Sequence, residues 1–229
     1  MTPSAHIPSR SDGAQARQKL LTAALRLFAD KGYRDTSTRE IAEAASVNLS
    51  AISYYFGDKS SLYQAAMHEP LCDKSMELDP ASCLPDPAGS GLSCAESFQA
   101  FFSNFLQPLQ LGETVRLVMR LHFRELVEPS GALPHPPGEE MRPLFQRLLA
   151  LLCGELGLAS PDADAHRLAL CMLGLPLHFF VAQEMVANLA PGITDTPADI
   201  DTLARRMTDY ALGMLDAEAS RRTRQREAG

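Results

Sequence analysis

No stretch of eighteen or more apolar residues occurs in the 229-residue chain, so no segment reads as a transmembrane helix. Alternating Val/Ile/Thr runs are just as scarce, which argues against a β-sheet protein. No Cys-x-x-Cys pair is present. The five cysteines (Cys72, Cys83, Cys94, Cys153 and Cys171) are odd in number. They suit small thiols in a reducing compartment better than a disulfide framework, with redox sensing by Cys72, Cys83 or Cys94 as the competing reading. There is no Gly-x-Gly-x-x-Gly, no P-loop, no nucleophile elbow and no paired catalytic motif, so an enzyme is not expected. No His/Cys/Asp cluster has metal-ligand spacing, and neither a metal nor a cofactor is expected. The N-terminal MTPSAHIPSRSDGAQ lacks the apolar core of a signal peptide. Residues 1–14 are read as a disordered arm, the protein as cytoplasmic and without a membrane partner.

What remains is helical periodicity nearly everywhere, and the expected fold class is all-α with about nine helices. Hydrophobic residues make up 45% and charged residues 21%, enough to bury a sizeable core over two domains. Leu20, Leu21, Ala24, Leu27 and Phe28 lie on one face of a first helix, 15–31, which Gly32 ends through a left-handed C′ position. Thr36, Ser37 or Thr38 can cap the next helix, TREIAEAA, with Glu40 in its first turn. Asn48 or Ser50 caps a third, which ends near Phe56-Gly57, and Asp58 caps a fourth beginning at Lys59. The Pro/Gly/Ser-rich stretch 79–93 reads as either a loop or a flexible linker. Further helices are expected at 94–107, 112–127, 139–157, 162–189 and 197–218, then a polar tail, 221–229, that frays.

The net charge of −7 speaks against a nucleic-acid partner until its distribution is considered. Residues 1–68 hold eight basic and six acidic side chains, and the acidic excess lies in the remainder, so a polyanion would meet one end of the chain. That end contains REIAEAASVNLSAISYYFGDK, two short helices around a tight turn. Ile41, Ala42 and Ala45 face inward on the first, and Val47, Ile52 and Phe56 form the matching set around the second. The outer face of the second carries Asn48, Leu49, Ser50, Ala51, Ser53, Tyr54 and Tyr55, with no acid among them. Such a face fits a major groove about 12 Å wide, and Thr38 and Lys59 at helix starts can hold phosphates. A generic helical hairpin with a solvated face is the plainer alternative.

The residues of this stretch resemble the TetR family of bacterial regulators. The landmarks are Ala23-Ala24 with Leu27-Phe28, Lys31-Gly32-Tyr33, Thr36-Ser37-Thr38-Arg39-Glu40-Ile41-Ala42, Ala45 with Val47, and Ile52-Ser53-Tyr54-Tyr55-Phe56 with Lys59 and Leu62. Ser46 departs from the pattern, where the family commonly has glycine. The resemblance implies a recognition helix near 49–55, backbone contacts from Tyr54, Tyr55 and Lys59, and a phosphate contact from Thr38. Tyr54 and Tyr55 also suit packing, Lys59 a solvated cap, and Arg39 either a phosphate contact or a surface ion pair. RLHFRELVEPSGAL, from Arg120 to Leu133, is similar to the R-E-x-x-E-P stretch of the CecR/CerR-like subgroup.

The resemblance further implies a helix-turn-helix head at 15–68 and a C-terminal effector-binding and dimerisation domain at 69–220. Helices 162–189, apolar nearly all round, and 197–218 would form a homodimer interface, with an intramolecular core helix as the alternative for 162–189. The implied role is a repressor released from a palindromic double-stranded DNA operator by an unidentified small-molecule effector, controlling efflux or toxic-compound response genes. The alternative is an activator or an effector-independent regulator with the same head. A ligand pocket needs apolar walls and a few polar groups. Phe101, Phe105, Met119, His122, Phe123, Met172, His178 and Phe179 offer these, with Arg116 and Arg120. Arg116, Arg120 and Arg124 form one helix stripe, read either as ion-paired with Glu113 or Glu128 or as an anion-reading wall.

Overall fold

A computed structural model describes residues 10–72, 79–136 and 138–228 of the chain, with the side chains of 10–12 and 71–72 left aside. Residues 1–9 of the expected arm, the Cys72 side chain and Gly229 of the tail lie outside what is described. The described residues are helical, with no strand among them.

Two compact units divide the chain. The first contains α1 (Arg10–Asp35), α2 (Thr38–Ala45), α3 (Ser50–Tyr55), α4 (Lys59–Cys72) and, after an intervening stretch that belongs elsewhere, α6 (Glu113–Val127). Leu20, Leu21, Ala24, Leu25, Phe28 and Ala29 of α1 are buried, the face expected from spacing. α1 begins at Arg10, so the last residues of the expected arm are helical. Gly32 interrupts it at φ 85° and ψ 171°. The positive φ is as expected, but the extended ψ is not the left-handed helical well. Of the three candidate caps for α2, Ser37 acts, its hydroxyl accepting from the Glu40 N–H at 3.1 Å. Thr36 is buried and donates to the Gly32 carbonyl at 2.8 Å. Asn48 caps α3, its Oδ1 accepting from the Ser50 N–H at 3.0 Å, and Asp58 caps α4 through the Ser61 N–H at 2.7 Å.

The second unit contains α5 (Cys94–Leu106), α7 (Arg142–Leu156), α8 (Ala163–Val181), α9 (Gln183–Leu189) and α10 (Pro197–Ala228). Ser93 and Glu96 form a reciprocal capping box at the start of α5. Phe98, Phe101, Phe102 and Phe105 then drive its buried face into the core. The 79–93 stretch is folded in place. Pro80–Cys83 is a 3-10 turn whose neighbour Leu84 is buried, and Arg147 of α7 donates to the carbonyls of Ala81 and Leu84.

Two expectations need correction here. The helix read at 162–189 is two, α8 and α9, bent by 86°. Ala182 carries no stop signal and α9 has no side-chain cap. Burial of Phe180 and Val186 on either side of the break accompanies the bend, which periodicity cannot register. The residues read as a tail are helical as far as Ala228, and within them Arg221 and Arg222 close onto Asp162, Asp164 and Glu218. No single described helix is long and apolar enough to cross a membrane.

Candidate nucleic-acid interface

The local order of α2, the turn and α3 follows from short-range bonding. α2 ends at Ser46 in the left-handed conformation (φ 53°, ψ 44°), where its N–H reaches the Glu43 carbonyl at 3.0 Å. The Val47 N–H reaches the Ala42 carbonyl at 2.9 Å, turning the chain tightly into α3. Ile41, Ala42, Ala45 and Ile52 are buried between the helices, while Val47 and Phe56 are half-buried.

This packing leaves the opposite side of α3 in solvent. Asn48, Leu49, Ser50, Ser53 and Tyr54 are exposed, with Tyr54 at 80%, and Ala51 and Tyr55 are half-buried. A tyrosine so uncovered does not contribute to a core. The Tyr54 and Tyr55 rings meet edge to face at 4.8 Å. The Tyr55 hydroxyl lies close enough to α1 that a Cβ on Gly13 would sit 3.2 Å from it. Asn48 and Ser50 are bonded to each other through side chains at 2.9 Å.

Thr38 opens α2 half-buried, and Arg39 beside it is exposed. Lys59 opens α4 with its ammonium 4.3 Å from the Tyr33 ring centre. Partial burial draws its pKa below the ordinary lysine value, opposed by Asp35. Two helix N-termini, each a source of positive dipole, thus precede and follow α3 along the chain. Arg17 of α1 braces the far side, its guanidinium 4.7 Å from the Phe56 ring centre and forked onto Glu69 with two bonds of 2.7 Å. That fork holds the Arg17 pKa above its usual value.

The expected ligand residues fall into both units. Arg116, Met119, Arg120, His122 and Phe123 lie on α6 in the first, while Phe101, Phe105, Met172, His178 and Phe179 lie in the second. Phe101, Phe105 and Met172 are buried, with the Phe101 and Phe105 rings 5.6 Å apart and Phe105 5.9 Å from Phe180. His122 bonds the Val118 carbonyl on its own helix at 2.9 Å. The arginine stripe is ion-paired where partners are seen, Arg120 to Asp30 at 3.3 Å and Arg124 to Glu128 at 3.2 Å. Glu113, expected to serve the stripe, pairs with Arg26 instead. A groove of about 430 Å³ between α1, α4 and α6 is lined by none of the expected ligand residues. Burial pushes the Cys83 and Cys94 thiols up to about 11, so neither is a thiolate near neutral pH. Among the described residues no group of His, Cys, Asp and Glu is arranged to hold a metal.

Sequence reasoning missed Tyr63 and Glu125, and the bonds by which Arg124 reaches α1. The Tyr63 hydroxyl donates to Glu125 at 2.7 Å in a buried setting, and Arg124 donates to the carbonyls of Asp30 and Lys31 at 3.1 Å each. The sequence signal for Arg124 and Glu125 was the R-E-x-x-E-P stretch itself, which carries no spacing cue to the head, and Tyr63 had none.

Comparison with known proteins places both halves. Residues 20–66 match the profile for bacterial regulatory proteins of the tetR family, and residues 94–217 match the profile for the C-terminal domain of the HTH-type transcriptional dual regulator CecR. CecR of Shigella flexneri is 29% identical over 184 residues, 76% of this chain and 79% of that protein. The HTH-type transcriptional regulator BetI of Burkholderia thailandensis is 35% identical over 154 residues, 67% of this chain and 73% of that protein. A TetR-family regulator from Bordetella parapertussis superposes with a TM-score of 0.60 at 20% identity, covering 86% of this chain and 93% of that one. The chain belongs to the TetR family of DNA-binding transcription regulators, with a C-terminal domain of the CecR type, and is not an enzyme.

Proposed function

We propose that the protein is a homodimeric repressor that binds a palindromic operator through α3 and releases it when a small molecule occupies the C-terminal unit. The observation that carries this reading is the exposed, acid-free face of α3, with Tyr54 80% exposed. Leu49, Ala51 and Ser53 reach base edges and thymine methyls, while Thr38, Arg39, Tyr54, Tyr55 and Lys59 contact the backbone. Asn48 and Ser50, bonded to each other, set the start of the recognition helix and meet the groove at its near edge.

Two-fold symmetry comes from the second unit. Cys171, Gly174, His178 and Val181 of α8 recur every three or four residues and are exposed, as are the adjacent Leu170 of α8, Met185 and Leu189 of α9 and Tyr210 of α10. An apolar stripe of that length suits a second copy of the chain. Effector binding then shifts the population toward head separations that no longer match the half-sites. Related folds are consistent with such a system. AibR is described in complex with isovaleryl coenzyme A and operator DNA, and NalD as the secondary repressor of the MexAB-OprM multidrug efflux pump. Control of efflux or toxic-compound response genes is the role proposed here. CecR is called a dual regulator, which favours a second reading in which the same head also activates at some promoters.

The test is binding of the full-length protein to a labelled duplex carrying the palindromic segment upstream of its own coding region. Wild type should bind with strong salt dependence. Tyr54→Ala with Lys59→Ala should weaken binding at least tenfold, two lost contacts of ordinary size. Unchanged affinity in that double variant would overturn the contact assignment.

A further inference from the structure

We propose that the Arg124-Glu125-x-x-Glu128-Pro129-Ser130 segment at the end of α6 is a working part of the DNA-binding head, with Arg124 and Glu125 as positioning residues for the end of α1 and the first turns of α4. This rests on the reading of α3 and the start of α4 as the DNA-contacting surface.

The last carbonyls of a helix have no partner within it and need one from elsewhere. α1 loses its helical dihedrals at Gly32, and Asp30 and Lys31 come just before that break. Arg124 caps the break, donating through Nη1 to the Asp30 carbonyl at 3.1 Å and through Nη2 to the Lys31 carbonyl at 3.1 Å, while Glu128 accepts from Nη2 at 3.2 Å and holds the guanidinium in place. A planar fork serves two adjacent carbonyls, which an ammonium does less well. The guanidinium lies so close to Gly32 that a Cβ there would come within 2.8 Å of Nε. Glycine at this position thus answers both the positive φ and the close approach.

Glu125 acts on the other side. It is only 5% exposed, yet all of its described partners are neutral hydrogen-bond donors. Oε2 accepts from the Tyr63 hydroxyl at 2.7 Å, and Oε1 from the Ser130 N–H at 2.9 Å and the Ser130 hydroxyl at 3.0 Å. A carboxylate is buried at such cost only where its bonds are fixed. Burial and the carboxylate push the Tyr63 phenol far above its usual pKa, so it remains a donor. The fully buried Tyr63 ring meets Phe28 and Tyr33 edge-on at 5.0 Å each, and Tyr33 carries Lys59. Further along the same segment, the Ala132 carbonyl accepts from Ser60 Oγ at 3.1 Å and Gln64 Nε2 at 2.7 Å. Three residues of the first two turns of α4 (Ser60, Tyr63 and Gln64) are therefore tied to residues 125–132, and Lys59 sits at the head of those turns.

Full-length variants separate positioning from direct contact and from simple stability. Tyr63→Phe keeps the ring and removes one bond. Arg124→Ala removes the cap, and Arg124→Lys restores the charge without the fork. Operator affinity is measured on the same labelled duplex, at several salt concentrations and at a temperature where circular dichroism shows each variant folded. Arg124→Ala is expected to weaken binding about tenfold and Tyr63→Phe several-fold, with Arg124→Lys between Arg124→Ala and wild type. The slope of log K against log salt should equal wild type in all three, because no phosphate contact is lost, whereas Lys59→Ala should lower it by about one. Should Arg124→Ala fail to fold, Tyr63→Phe and Arg124→Lys decide alone. Wild-type affinity in folded variants, a fall that merely follows the folded fraction, or a reduced salt slope each overturns the proposal. If wild type itself does not bind the duplex, or Lys59→Ala changes nothing, the failure lies in the α3 reading instead.

Discussion

Ser46 shows at single-residue scale how much a local rule decides. It is the one non-glycine residue with positive φ among the described residues, and it sits at the tight turn between α2 and α3. A side chain held in the left-handed region costs about 1 kcal/mol relative to glycine. Ser46→Gly should therefore raise the melting temperature by ~2–4 °C for a chain of this length, without change in operator affinity at saturating folded fraction. An unchanged or lower melting temperature would mean that the gain in unfolded-state freedom outweighs the relief. The candidate interface was largely legible at this scale. Exposure of Leu49, Ser53 and Tyr54 follows from placing Ile41, Ala42, Ala45 and Ile52 inward, which the spacing alone dictates. The fate of Lys59 was not legible. Its ammonium lies over Tyr33, twenty-six positions earlier, and no pattern in a linear sequence announces a ring meeting a cation across a turn.

Helices were legible where an apolar face alternates with polar residues and a cap marks the start. α5 begins at its Ser93 capping box and α7 ends at Gly157 in the left-handed conformation, φ 62°, both within a residue or so of expectation at those ends. Where long-range contacts set the boundary, sequence was silent. The break at Ala182 is one case, and the far end of α10 is the other. Arg222 forks onto Asp162 at 2.7 and 2.8 Å and also reaches Glu218 at 2.6 Å, while Arg221 joins Glu218 to Asp164. The network ties the start of α8 to the last turns of α10. Bonds from Arg222, Arg167 and Arg221 hold the carboxyls of Asp162, Asp164 and Glu218, respectively, below their usual pKa values. Groups whose folded pKa is depressed stabilise the fold above the ordinary carboxylate range and lose that contribution as pH falls through it. Arg222→Ala should accordingly lower the melting temperature by ~2–4 °C at pH 7. The gap between variant and wild type should close as the pH is taken from about 5 down past 3, and shrink in ~1 M salt. A gap that persists undiminished at low pH would show that Arg222 acts by packing of its aliphatic stem rather than by charge.

At the scale of the whole molecule, the question is why an acidic protein should bind DNA at all. The excess of acid lies outside residues 1–68, so binding depends on presenting the heads to the duplex and keeping the remainder away from it. One head alone is a weak ligand: α3 is six residues long and the local charge excess is small. Affinity must then come from two heads held at the spacing of two half-sites, where the second contact forms at high effective concentration. In the proposed dimer, pairing through the exposed apolar surface of the second unit would supply that. Leu170 at 59% and Leu189 at 77% exposure lie on α8 and α9. A glutamate in place of Leu170 would meet a buried, low-dielectric interface together with its own symmetry mate, which neither charge tolerates unpaired. Leu170→Glu with Leu189→Glu should yield a folded chain of monomer mass by sedimentation, where wild type gives twice that mass. The same variant should bind the palindromic duplex ~100-fold or more weakly, the loss expected when a bivalent contact becomes two independent ones, while a duplex carrying a single half-site should be bound alike by variant and wild type. A variant that remains dimeric would place the interface elsewhere on the molecule. A monomer that still binds the full palindrome like wild type would instead remove bivalency as the source of affinity.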